Sequence, residues 1–176
     1  DCTRKAREEL RLALANLPVP PGAPLPSADL TPPLDVAMAG DDPYVLWDTG
    51  VIRRMAPDGS WADEWTAPNG AWITAISASG ANLAALDSLG QRVFILDRNF
   101  NPVGSFSIDG AGFTAAFDIA LAADHVFLVD RSTATLVVYA LDGTLERTIP
   151  VLAGAQRVAA GPDGNAYVLT RNGWIF

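Results

Sequence analysis

Few residues in this chain have the chemistry for catalysis or metal binding. There is one histidine, His125, and one cysteine, Cys2, among 176 residues. His125 follows Asp124, but a catalytic histidine needs a nucleophile and an orienting carboxylate within hydrogen-bond reach, and the sequence nominates no such set. It reads as a turn residue where a strand begins. A zinc site of histidine and cysteine lacks ligands. Gly110-Ala111-Gly112 has no following helix to make a phosphate cradle, and no serine sits in a nucleophile elbow. Two kinds of candidate remain. Asp35 and Asp118 could face one another as ligands for Ca²⁺ or as an acid/base couple. Trp61 and Trp65 share parity on one outer strand, and Trp72 follows shortly after. Such aromatics either anchor a protein partner or pack beneath an N-terminal arm. Trp47 reads as core.

The elements that position these residues are clearest in Asp118–Pro150. Four short apolar runs, 119–122, 126–129, 136–141 and 145–151, are separated there by Asp, Gly, Ser and Thr, the pattern of four antiparallel strands. The unit recurs. Taking Ile119 as an anchor, its equivalents are Val36, Ile76 and Val158, at separations of 40, 43 and 39 residues. The second strands end at Asp48, Asp87, Asp130 and Thr170, separated by 39, 43 and 40. Two independent sets of landmarks share one period. Asp-Gly pairs at 58–59 and 142–143 supply hairpin turns, with Asn101-Pro102 between them and Asp163-Gly164 in the last unit.

Second strands such as Val126–Val129 are apolar on both faces, while the fourth strands mix charge with aromatics. That gradient describes a sheet with sandwiched middle strands and an outer edge. A radially repeated four-stranded unit of about 40 residues is a β-propeller. The expected fold is therefore all-β, with blades near 34–71, 72–113, 114–154 and 155–176, about three and a half in all. One residue before each anchor stand Asp35, Ala75, Asp118 and Arg157, where the first strands approach the central tunnel. The plainer reading of the two aspartates is that they satisfy backbone donors and solvate that tunnel.

Asp118-Ile119-Ala120, then HVFLVD and LVVYALDG, resemble NHL-type repeats and related six-bladed propellers. The resemblance spans 34–176. Gluconolactonase-like members of that group hold a metal with Glu, Asn and Asp at such tunnel positions, so it implies a metal-dependent lactonase or hydrolase as one function. The series Asp, Ala, Asp, Arg departs from that ligand set. WD40 signatures are absent, since Trp47-Asp48 closes a second strand.

Composition bounds the rest. Residues 34–176 suffice for one sizeable core, and 49% of the chain is apolar. A net charge of −8 argues against nucleic acid, which needs clustered Lys and Arg. No window approaches a membrane span. Residues 1–17 read as a short helical arm whose basic first turns oppose the helix dipole. Residues 18–33 hold seven prolines in sixteen positions and read as an extended linker. Cys2 resembles the lipid-bearing cysteine of bacterial lipoproteins, although Asp1 precedes it, and would place the protein in the periplasm or outside the cell, attached to the membrane through this arm. The fourth blade breaks off at Trp174-Ile175-Phe176, so the ring is expected to be completed by further blades or by a second chain. The expectation is a non-catalytic scaffold or protein-interaction subunit of an extracytoplasmic assembly, without a cofactor unless the aspartates take Ca²⁺. The alternative is the metal-dependent lactonase.

Overall fold

The computed structural model describes residues 32–112 and 116–173. The helix expected over 3–17, Cys2, most of the linker and Trp174-Ile175-Phe176 lie outside the described residues. Blade 1 comprises β1 (Pro33–Ala39), β2 (Asp42–Trp47), β3 (Val51–Met55) and β4 (Trp61–Thr66). Blade 2 comprises β5 (Ile73–Ser79), β6 (Asn82–Asp87), β7 (Arg92–Asp97) and β8 (Pro102–Ser107). Blade 3 comprises β9 (Ala116–Leu121), β10 (His125–Asp130), β11 (Thr135–Ala140) and β12 (Leu145–Pro150). The pair β13 (Ala155–Ala160) and β14 (Ala166–Thr170) begins blade 4. Within each blade, neighbours in sequence are neighbours in the sheet and run antiparallel. The first strands stand side by side, β1 against β5, β5 against β9 and β9 against β13, which sets the blades around one axis.

The burial pattern follows from this stacking. Strands β6 and β10 are buried on both faces, whereas β12 is exposed along its whole length. Alternate residues of each blade serve opposite neighbours. Tyr44, Leu46 and Ile52 of blade 1 meet Ile76, Ala85 and Phe94 of blade 2. Leu86, Val93 and Ile95 meet Ile119, Leu128 and Val137 across the next boundary. Phe127, Val129 and Leu136 then meet Val158 and Val168. Each large aliphatic side chain fully buried in these layers contributes about 1.5–3 kcal/mol. The layers, not the hairpins, hold the arc together.

Turn chemistry accounts for much of the acidity. Asp58 Oδ1 accepts the Ser60 N–H at 2.9 Å, Asp142 Oδ1 accepts that of Thr144 at 2.8 Å, and Asp97 Oδ1 accepts those of Asn99 and Asn101. Asp87 holds the Gly90 N–H, and Asp130 holds Ser132 and Thr133, so the aspartate that ends a second strand closes the hairpin after it. These bonds favour the ionised carboxylate. The Ser60 hydroxyl for Asp58, the Asn101 amide for Asp97 and the Thr144 N–H for Asp142 accordingly hold those groups below the usual range.

Two expectations need correction. Trp47 is half-buried at the end of β2, and its indole N–H has no acceptor among the described residues although the nitrogen is out of contact with solvent. Trp61 and Trp65 do not act as one pair. A bulge at Ala62, where Arg54 pairs with Asp63 but Met55 pairs with Trp61, breaks the alternation between them. Trp61 consequently lies edge-on to Trp47, with ring centroids 5.9 Å apart, while Trp65 lies edge-on to Phe94 of blade 2 at 5.6 Å.

Candidate functional site

The four first strands carry a bulge at the same place, with Leu34, Thr74, Phe117 and Gln156 as the extra residues. A bulge locally re-aims the side chains beside it. The residues that follow, Asp35, Ala75, Asp118 and Arg157, lie at corresponding positions beside the axis. Asp35, Asp118 and Arg157 line a cleft of about 350 Å³ together with Val36, Ile76 and Ser77. The structure thus gathers the carboxylates that the repeat had aligned, with the guanidinium among them.

Each carboxylate bridges two blades. Asp35 Oδ2 accepts the backbone N–H of Ile76 at 2.8 Å, and Asp118 Oδ2 accepts that of Val158 at 2.9 Å. Ala75 cannot make this bond. At that boundary Ser77 Oγ accepts the Leu121 N–H at 2.9 Å, two residues further along the strand. Without such acceptors, N–H groups facing the neighbouring blade would be buried unpaired.

Asp118 is the most perturbed of these groups. Burial raises its pKa from 3.8 to about 6, against the lowering effects of the Val158 N–H and of Arg157. Arg157 Nη1 lies 3.8 Å from Asp118 Oδ1, a loose ion pair in which the arginine remains largely exposed. Burial raises Asp35 as well, opposed by its bonds to Ile76 and Val36. The guanidiniums of Arg157 and Arg131 both lie over the Phe117 ring, at 5.2 and 5.3 Å from its centroid. These described residues do not fit Ca²⁺, which takes six to eight oxygens. They offer two carboxylates, each with an oxygen bound to backbone, and a guanidinium beside them. No cluster of three or more His, Cys, Asp or Glu disposed for a metal occurs among the described residues.

His125 is the first residue of β10, directly after the turn. Its Nδ1 lies 2.7 Å from Asp124 Oδ1, its Nε2 lies 3.0 Å from Glu146 Oε2, and its ring stacks on Phe127. Both ring nitrogens are occupied by carboxylates. The histidine lines a groove of about 560 Å³ between blade 3 and the β13–β14 pair, together with Phe127, Leu136, Val138 and Ile149, and no serine, threonine or cysteine is among the described residues that line it.

The tryptophans separate by environment. Trp61 and Trp65 are half-buried against other rings, whereas Trp72 is 46% exposed. Trp72 shares a shallow depression of about 420 Å³ with Pro68, Leu89, Arg92 and Phe94. Leu89 is 81% exposed, and sequence reasoning missed it. The signal was available: Leu89 is an apolar residue in a tight turn, Ser88-Leu89-Gly90, where polar residues are the rule.

With this geometry in place, the comparisons with known proteins agree on architecture. No protein-family model matches the chain, and no curated protein matches it. Solved structures do. Virginiamycin B lyase from Staphylococcus aureus superposes with a TM-score of 0.62 over 83% of this chain and 55% of its own, at 13% identity. Myxococcus xanthus glutaminyl cyclase gives 0.58 over 80% and 68%, at 14% identity. The Pan2 WD40 domain of Neurospora crassa gives 0.59 over 80% and 47%, at 16% identity. The likeness is one of fold, the β-propeller. This propeller chain spans about half the length of the lyase. Its neighbours include both enzymes and a WD40 domain.

Proposed function

We propose that this chain is a non-catalytic β-propeller scaffold, a protein-interaction subunit of a larger extracytoplasmic assembly built on six-bladed, NHL-type repeats. One observation carries the reading: the carboxylates best placed for axial chemistry each hold a backbone N–H of the adjacent blade. The partner surface is the patch of Trp72, Leu89 and Arg92. Trp and Arg dominate the binding energy of protein interfaces, and here they lie beside an aliphatic side chain exposed at a turn tip. Attachment through a lipid on Cys2 would hold the propeller at a membrane surface by its proline-rich tether. Purification of the full-length protein from its source, beside a Trp72→Glu, Leu89→Asp variant, tests the reading. A partner held stoichiometrically by the first and lost by the second supports it. Equal retention by both sinks the patch as the interface.

A lactonase or hydrolase with its site on the axis is the second reading, and Asp118 favours it. A buried carboxyl that titrates near neutral pH beside a guanidinium suits acid/base work. Its metal ligands would have to come from outside the described residues.

A further inference from the structure

The exposed charges of the described residues are sorted by rim. One rim holds the turns between first and second strands and between third and fourth strands, and Asp41, Asp58, Asp124, Asp142 and Asp163 are exposed there. Asp58, Asp142 and Asp163 are committed to their own turns, each accepting the N–H two residues on. The opposite rim is where first strands begin and second strands end. Arg92, Arg131, Arg157 and Arg171 are exposed on it, against one exposed acid among the described residues, Asp109. Arg147, on the outer strand β12, is the one other exposed arginine among the described residues.

Aromatic rings hold these rim arginines. Elsewhere Arg53 pairs with Glu64, Arg54 pairs with Asp63, and Arg98 donates to the Gly80 carbonyl. Arg131 and Arg157 come from adjacent blades and both lie over Phe117, the bulge residue of β9, at 5.3 and 5.2 Å from the ring centroid. Arg92 lies over Phe94 at 6.0 Å, beside exposed Trp72 and Leu89. Stacking orients a guanidinium by its face and leaves its N–H edge free for a carboxylate. Sharing one ring keeps two like charges within roughly a Debye length of each other, ~10 Å, and an anion between them relieves the repulsion. Asp118 offsets part of that charge from 3.8 Å, but it is buried and its Oδ2 is on the Val158 N–H.

We propose that Arg131 and Arg157, held on Phe117, take the carboxylates of an acidic segment of the protein partner whose apolar contact is the Trp72–Leu89 patch on the same rim. The inference rests on the scaffold reading above and adds the partner's chemistry to it. Charge complementarity selects the occupant. In a chain of net charge −8, this rim gathers the exposed arginines beside exposed or half-buried rings. A basic partner is steered to the opposite rim, and an acidic one to this rim. Arginine and aromatic side chains are also the residues that protein interfaces concentrate.

The test uses the full 176-residue chain and a fluorescein-labelled peptide built of Glu, Leu and Gly, beside its Gln-for-Glu counterpart. Anisotropy should show binding of the Glu peptide alone, lost at about 1 M salt, where charges are screened within about 3 Å. Arg131→Ser and Arg157→Ser should each weaken it by roughly fivefold or more. Arg147→Ser removes the same charge away from the rim and should leave the affinity within about twofold. Trp72→Ser combined with Leu89→Ser should weaken binding as well. Loss in that variant alone upholds the patch and overturns the acidic segment, whereas loss in the arginine variants alone keeps the segment and sinks the patch. Equal affinity for the Gln peptide, no affinity for the Glu peptide, or an equal loss with Arg147→Ser overturns the proposal. Capture of the chain by phosphatidylglycerol vesicles, without affinity for the peptide, overturns it too and assigns the rim to a membrane surface.

Discussion

Asp118 Oδ2 and the backbone N–H of Val158 lie 2.9 Å apart across the boundary between blades 3 and 4. The same bond joins Asp35 to Ile76 between blades 1 and 2. A residue that resembles a tunnel ligand in sequence is thus a fastener between sheets, and its cost as a buried charge makes it measurable.

Stability should fall as pH rises through the titration of Asp118. Below about pH 4 the folded and unfolded chains both hold this proton; between the unfolded value of 3.8 and the folded value of about 6 only the folded chain does. The ionised form is therefore the less favoured one in the fold, and stability declines up to about pH 6 and then levels. Two pKa units correspond to about 3 kcal/mol. Asp118→Asn keeps an acceptor for Val158 but cannot ionise, so it should flatten this slope and be the more stable protein at about pH 8, by about 1–3 kcal/mol. Urea unfolding of both proteins across the range checks it; parallel pH profiles would contradict the assignment.

Removing the acceptor altogether should act oppositely. Asp35→Ala strands the Ile76 N–H between blades, and the loss should be about 1–3 kcal/mol. Asp35→Asn should recover most of it. Equal melting temperatures for wild type and the alanine variant would show that the bond contributes nothing.

The outer-strand tryptophans should divide into structural and surface residues. Trp65→Ala removes a ring packed on Phe94 at the first boundary, and about 3 kcal/mol of stability should go with it, at the low end of the cost of a core aromatic because Trp65 is half-buried. Trp72→Ala should stay within about 0.5 kcal/mol of wild type. Denaturant midpoints compare the two directly, and a reversed order would undo the placement of both.

Gly143 should tolerate no side chain. Its φ is +89°, and an added Cβ would overlap the Cβ and ring of Phe106 from blade 2. Gly143→Ala combines backbone strain with overpacking and should cost about 2 kcal/mol or more. Gly164, in the corresponding kind of Asp-Gly turn, has no such neighbour, and the same change there should cost less, read as the difference in melting temperature.

The repeat was legible because two sets of landmarks keep one period and each strand announces its own faces. Asp-Gly turns and doubly apolar second strands are local signals, and the sheets follow them. The fasteners were not legible. Asp118 finds its donor 40 residues away and Asp35 finds its donor 41 away, on strands whose adjacency exists only after the blades stack. Alternation alone also misread β4, because the bulge at Ala62 depends on how β3 and β4 pair and sends Trp61 and Trp65 to different partners. His125 was seen without Glu146, since the contact joins β10 to β12 across an intervening strand.

The central claim is that the axial carboxylates bind blades together and not a metal. Elemental analysis of the purified full-length protein, with Asp118→Asn beside it, addresses that claim most directly. Neither protein should carry stoichiometric metal, and the melting temperature should be indifferent to chelator. Stoichiometric Ca²⁺ or Zn²⁺ that disappears in Asp118→Asn would contradict it.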